Sequence, residues 1–240
     1  MLPGLGGIVV GSSAPDNIVF VGGAVADFAG SAATSRTLAL NSGLTGGIAS
    51  SASSGDFVIA VFATGSNTDR TLAITDGTDP YELIGSEMYV DGSAFDVNLR
   101  VAFKRITADT QVTFGPTGSD NDAGCYAVYV FRNVDTVTPI DVAVTIATGT
   151  DSDVDPASIT PNSQNTFLVV IGAGGEVEEV GNFTSSELTD FLATSSNDLY
   201  DCILGIGHVP SWPGGAFNPA AFGNSNVNAW AAMTIALRSA

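Results

Sequence analysis

The chain reads as an all-β protein, and three observations carry that reading. Six short apolar runs rich in Val, Ile, Phe and Tyr are each bounded by Gly, Asp, Asn, Ser or Pro, the pattern of strands separated by turns. Twenty-eight glycines and a single lysine, Lys104, describe a chain rich in turn residues and short of those that clothe helix surfaces. The 240 residues are 45% hydrophobic and 13% charged, which supplies a sizeable core and excludes the disordered class. A single two-sheet sandwich of about ten strands fits that length.

The first fifty or so residues are dominated by Gly, Ala, Ser and Thr and read as an extended arm over 1–54, with weak strands at 18–21 and 36–40. The sandwich is expected over 55–240. Its strong strands are FVIAVF (57–62), VNLRVAFKRI (97–106), CYAVYVF (125–131), FLVVIG (167–172), CILGIG (202–207) and NAWAAMTIAL (228–237). Weaker strands fall at 70–75, 82–90, 110–114 and 140–148. One segment, 184–196, places Leu188, Phe191 and Leu192 at helical spacing behind Ser185 or Ser186 as N-cap, and predicts one or two helical turns.

Alternation within the runs assigns faces, because successive strand side chains point to opposite sides. Leu99, Val101 and Phe103 point one way; Asn98, Arg100, Ala102 and Lys104 point the other, which predicts a wet or partner-facing side. Both faces of 57–62 are apolar, as in a central strand covered twice or packed on another subunit. The six strong runs begin near 57, 98 and 125 and again near 167, 202 and 229. That weak repeat reads as the pseudo-symmetry of a two-sheet jelly roll, since solenoid and propeller repeats are tighter.

Seven Lys and Arg against 25 Asp and Glu give a formal charge of -18, which argues against partners held by phosphate neutralisation, nucleic acid and anionic membrane alike. The start, MLPGLGGIVVG, lacks the basic region of a signal peptide, and no stretch approaches the ~18 apolar residues of a membrane span. Two cysteines, Cys125 and Cys202, each open an apolar run and read as buried free thiols; a bond between them requires Cα atoms within about 7 Å.

Residues that carry chemistry are sparse. His208 is the only histidine, and with no G-x-S-x-G elbow before it, it reads as an ordinary histidine at a strand end. Asp151, Asp153 and Asp155 share the spacing of the first ligands of a calcium loop, but Pro156 stands where the sharp-turn glycine belongs and Asn162 where a closing Glu belongs. They read as a solvated turn, as do Asp120-Asn121-Asp122 and 76–79. Glu176, Glu178 and Glu179 sit on one turn, whereas glycosidase carboxylates face each other across a cleft. No catalytic residue, metal or cofactor is expected. Trp212, Phe217 and Phe222 lie among Pro and Gly in 208–226, where aromatic rings either cap the sandwich, meet a partner or stack on sugars. Leu2, Leu5, Ile8, Val9 and Val10 have no core of their own, and burying them against a partner is worth about 1.5 to 3 kcal/mol per side chain.

Laid out this way, the chain resembles a group of tailed-bacteriophage virion proteins with a jelly-roll-like sandwich. The resemblance lies in MLPGLGG followed by NIVFVG, in GDFVIAVFATG (55–65), and in LRVAFKRITADTQVTF (99–114) followed by YAVYVFRNVDTVTPID (126–141) and NAWAAMTIALR (228–238). Members often carry Pro-x-Gly-Trp after the first core strand; here the stretch is DGTDPYELIGSEM, with Tyr81 in place of the Trp. The resemblance implies a non-enzymatic structural protein outside the virion, such as a head decoration, fibre or tail appendage. It implies a homotrimer assembled in the host cytoplasm and attached to other capsid or tail proteins through the arm. The alternative from another class is a carbohydrate-binding or receptor-binding module that holds a host-surface glycan with the 208–226 loop.

Overall fold

The computed structural model describes residues 17–30, 34–92, 95–116, 122–176, 183–196, 201–223 and 227–240. In chain order its strands are β1 (Val19–Phe28), β2 (Arg36–Ala39), β3 (Phe57–Gly65), β4 (Ile74–Thr75), β5 (Glu82–Leu83), β6 (Met88–Val90) and β7 (Val97–Arg105). They continue with β8 (Gln111–Phe114), β9 (Ala123–Arg132), β10 (Thr145–Gly149), β11 (Thr166–Glu176), β12 (Thr189–Ser196), β13 (Asp201–Trp212) and β14 (Val227–Leu237). The described residues contain no helix, so the all-β expectation holds, with fourteen strands where about ten were expected.

All pairings are antiparallel and make three sheets. The first runs β1-β9-β3-β7-β5, with β6 also on β7; the second runs β10-β14-β11-β13-β12; the third, small one runs β2-β8-β4. The first and second sheets stack face to face. Phe57, Ile59 and Val61 of β3, Tyr129 and Phe131 of β9, Val169 and Ile171 of β11, and Met233 and Ile235 of β14 share one inner core. Alternate residues of the same strands face outward into two further cores. Val58, Ala60 and Phe62 of β3 lie under Leu40, Leu44, Leu72 and Phe114, and Leu168 and Val170 of β11 lie under Ile159, Phe183, Phe217 and Phe222. The two-faced apolar run at β3 is thus covered twice by its own chain.

The repeat has a structural form. Each half of the chain builds one large sheet, and the two sheets follow the same strand order: the first strand on one edge beside the last, then the central strand, then the next-to-last, then the other edge. The outer layers follow suit. Where β8 joins β2 and β4 in the first half, the second half keeps single bridges, Ile159 to Phe217 and Thr184 to Gly223.

Three local expectations are corrected. Residues 189–196, expected as helix, form β12 on β13, with a register shift between Thr189 and Leu192 and Asp190 at φ 47°. The bulge adds one residue to the strand, so Leu188 and Phe191 both face the outer core while Leu192 faces the inner one. That offset imitates helical spacing. The polar side of β7 is not wet: Asn98 is fully buried, accepts from the Arg70 amide at 2.7 Å and donates to the Thr68 carbonyl at 3.1 Å. Finally, the sheet does not start at Gly55. β1 is an edge strand of the first sheet, and Val21, Leu40 and Leu44 are buried in its outer core.

This placement sets the consequences of truncation. A chain beginning at Asn17 keeps every strand and melts cooperatively within a few degrees of the full chain. One beginning at Gly55 loses Phe20, Val21, Phe28, Leu40 and Leu44 from the core, on the order of 10 kcal/mol and comparable to a whole domain's stability. It is expected to show no cooperative melt by circular dichroism; a sharp transition would contradict the placement.

Candidate functional site

The charged side chains are tied inward. Arg70 pairs with buried Asp122 at 2.9 Å, Arg100 with Glu87 at 3.3 Å, and Lys104 is held between Asp76 and Asp109. Arg132, the last residue of β9, forks onto buried Asp56 at 2.8 and 2.9 Å. Arg238, just past β14, meets buried Asp141 at 3.0 Å. Burial works against the charge of Asp141, but bonds from Ser163, Arg238 and the Asn162 amide hold its carboxyl below the usual range. Arg105 donates to the Gly55, Val134 and Asp135 carbonyls, and Arg36 lies over the Phe28 ring. All seven cations therefore serve the fold, and the excess of carboxylates over them gives the molecule its acidic character.

His208 lies in β13, buried between the Phe20 and Phe167 rings with centroids at 4.6 Å from each. Its Nε2 meets Asp190 Oδ2 at 3.1 Å, while Nδ1 has no partner. The bulge in β12 delivers that aspartate. Burial lowers the imidazole pKa against the opposing pull of Asp190, so the ring is held neutral. The ring lines a cavity of about 410 Å³ with Ile18, Phe20, Ile48, Thr189 and Asp190. Among the described residues no hydroxyl or thiol bonds the ring, and the Asp190 contact fixes its orientation.

The aromatic loop is mostly core. Phe217 and Phe222 are buried on the outer face of the second sheet, Phe222 stacked on Phe183 at 4.8 Å, and neither ring is open to a ligand. Gly172 makes room for Phe222 and Gly205 for Phe183: an added Cβ would come within 2.6 Å and 2.5 Å of those rings. Trp212 is half-buried, set edge-on to Phe217 at 5.0 Å with its Nε1 donating to the Gly215 carbonyl. Tyr81 is buried under Lys104.

Other expected residues are placed as follows. Asp151 accepts from Trp230 Nε1 at 2.7 Å, Asp153 and Asp155 are exposed, and among the described residues no three His, Cys, Asp or Glu gather as a metal site. Cys125 and Cys202 are free and buried on facing sheets, with the Cys125 thiol donating to the Cys202 carbonyl at 3.2 Å. Burial pushes that thiol's pKa up. Leu2, Leu5, Ile8, Val9, Val10, Asp120, Asn121, Glu178 and Glu179 lie outside the described residues, and Glu176 closes β11.

The feature sequence reasoning missed is a groove of about 550 Å³ at the open seam between β5 of the first sheet and β10 of the second. It is lined by Leu83, Ile84, Phe103, Ile140, Val144 and Ile146. Among the described residues four large apolar ones are exposed, Ile48, Leu83, Val137 and Ile146; the last three lie in or beside this groove. Edge position is what leaves these side chains uncovered, and no local pattern marks a strand as an edge. Comparison with family models, curated proteins and solved structures returns no match.

The neutral His208 fixes a pH dependence. Below the ordinary histidine value of 6.5 the unfolded chain takes up a proton that the folded chain refuses, so stability falls as pH falls. His208→Phe is expected to flatten the stability-pH curve just below 6.5 by up to about 1.4 kcal/mol per pH unit, measured by urea unfolding. A curve unchanged by the substitution would contradict a buried, neutral ring.

Proposed function

We propose that the protein is a non-enzymatic structural component on the exterior of a tailed-phage particle, wound as jelly-roll-like units, self-associating as a homotrimer and attached through its N-terminal segment. The observation that carries association is the open apolar seam, where three of the four large apolar residues exposed among the described ones gather on an otherwise acidic molecule. The resemblance of the strand runs to phage virion proteins supplies the setting. An acidic shell suits a protein displayed in many copies, because like charge keeps neighbours from sticking non-specifically. The glycan-binding alternative rests on Trp212 alone, since Phe217 and Phe222 are core.

Light-scattering mass of the full chain beside a chain beginning at Asn17 tests this reading. A trimer that falls to monomer on removal of 1–16 is expected. Monomers in both cases would overturn self-association, and glycan binding abolished by Trp212→Ala in such a monomer would favour the adhesin.

A further inference from the structure

We propose that the groove between β5 and β10 receives the apolar segment from Leu2 to Val10 of a neighbouring copy of this chain. The inference rests on the assembly reading above and names the contact that builds it.

The two seams of the stacked sheets are counterparts in the repeat: β1 faces β12 at one, and β5 faces β10 at the other. The chain closes the first seam itself. Residues 45–49 run along β1, with paired bonds between Gly23 and Thr45 at 2.9 Å and amides of Ile48 and Ala49 donating to the Phe20 and Val21 carbonyls. Gly46 in that segment also lies against Asp190 of β12. The second seam has no counterpart to this strip among the described residues. β5 pairs only with β7 and β10 only with β14, so each is a strand edge, and between them lies the apolar groove. An edge of this kind invites an extended segment that adds backbone bonds to the strand and apolar side chains to the groove.

The chain's own sequence contains such a segment. Residues 1–16 carry one ionisable side chain, Asp16, and five large aliphatics within 2–10. Geometry favours delivery between copies. Asn17 sits beside β9 at the β1 edge, bonded to Asn133, and the groove lies at the opposite edge. Four strand spacings separate those edges, about 19 Å. The seven steps from Asn17 to Val10 span at most about 25 Å fully extended, so within one chain the linker would cross the end of the sandwich at roughly three quarters of its full length before Val10 reached the rim. A neighbouring copy imposes no such stretch. A contact from the β1 edge of one copy to the β5-β10 seam of the next is head-to-tail, and such contacts close into rings, consistent with a trimer.

Two measurements test the inference. A labelled peptide of residues 1–16 is titrated into the chain beginning at Asn17, wild type and carrying Leu83→Asp with Ile146→Asp; the same pair is placed in the full chain for light-scattering mass. The peptide is expected to bind the wild type and to bind the double variant at least tenfold more weakly at unchanged melting temperature, and the full-length variant is expected to be monomeric. If the aspartates prevent folding, Leu83→Thr with Ile146→Thr serves in their place. No peptide binding, or equal binding to both, overturns the groove as receptor; a full chain that still assembles then leaves the assembly reading standing, whereas a monomeric full chain removes both. A monomeric full chain that takes up peptide only after residues 1–16 are deleted places the chain's own segment in the groove and overturns the exchange between copies.

Discussion

The structure depends on one face-to-face contact, the burial of the inner faces of the two large sheets against each other. Neither sheet can satisfy its inner face alone: Ile59, Val61, Leu99, Val101 and Ala127 on one side and Val169, Ile171, Leu204, Met233 and Ile235 on the other are all fully buried. Sheets stack about 10 Å apart, so each half supplies the other's core. Polar ties across this layer are few, and Tyr129 is the clearest, its hydroxyl donating to the Ile206 carbonyl at 2.8 Å. Burial raises that phenol's pKa, which keeps the proton where the tie needs it.

From that contact the remaining features follow. With inner faces spent on each other and outer faces covered by β2-β8-β4 or by the segments that carry Val154, Ile159, Phe183, Phe217 and Phe222, the places left for interaction among the described residues are the edges. One edge pair is sealed by residues 45–49; the other is the apolar groove. The same economy holds for charge. Five of the seven cations clamp carboxylates, and the arginine that ends the last strand of each half, Arg132 or Arg238, locks a buried aspartate from a neighbouring turn.

Much of the fold is legible in the sequence because period-two patterning and turn residues are local signals. All six strong runs are observed as strands, and all six weaker ones overlap strands: 82–90 is split into β5 and β6, and only 74–75 of 70–75 and 145–148 of 140–148 are strand. The failures arise where a distant contact decides. A bulge at Asp190 gives Leu188 and Phe191 a helix-like spacing, and only the pairing of β12 with β13 exposes the difference. Asn98 looks solvated until residues 66–72 fold over it. Phe217 and Phe222 look free in a Gly- and Pro-rich loop, and it is distant residues that bury them: Gly172 leaves the space for Phe222, and Gly205 the space for Phe183, on which Phe222 stacks. The weak spacing repeat was readable, whereas its meaning, one sheet per half in matching order, required the topology. The groove left no trace in sequence, for its residues come from separate segments, 82–86, Phe103 and 138–146.

If the sheets are mutually dependent, the two halves unfold as one unit. Native-state hydrogen exchange across a denaturant series, read on peptides from β3 and β9 in one sheet and β11 and β13 in the other, tests this most directly. The account predicts that the slowest amides of all four strands converge on a single opening free energy. Exchange of one sheet through an opening several kcal/mol below that of the other would show a half that stands alone, and would contradict it.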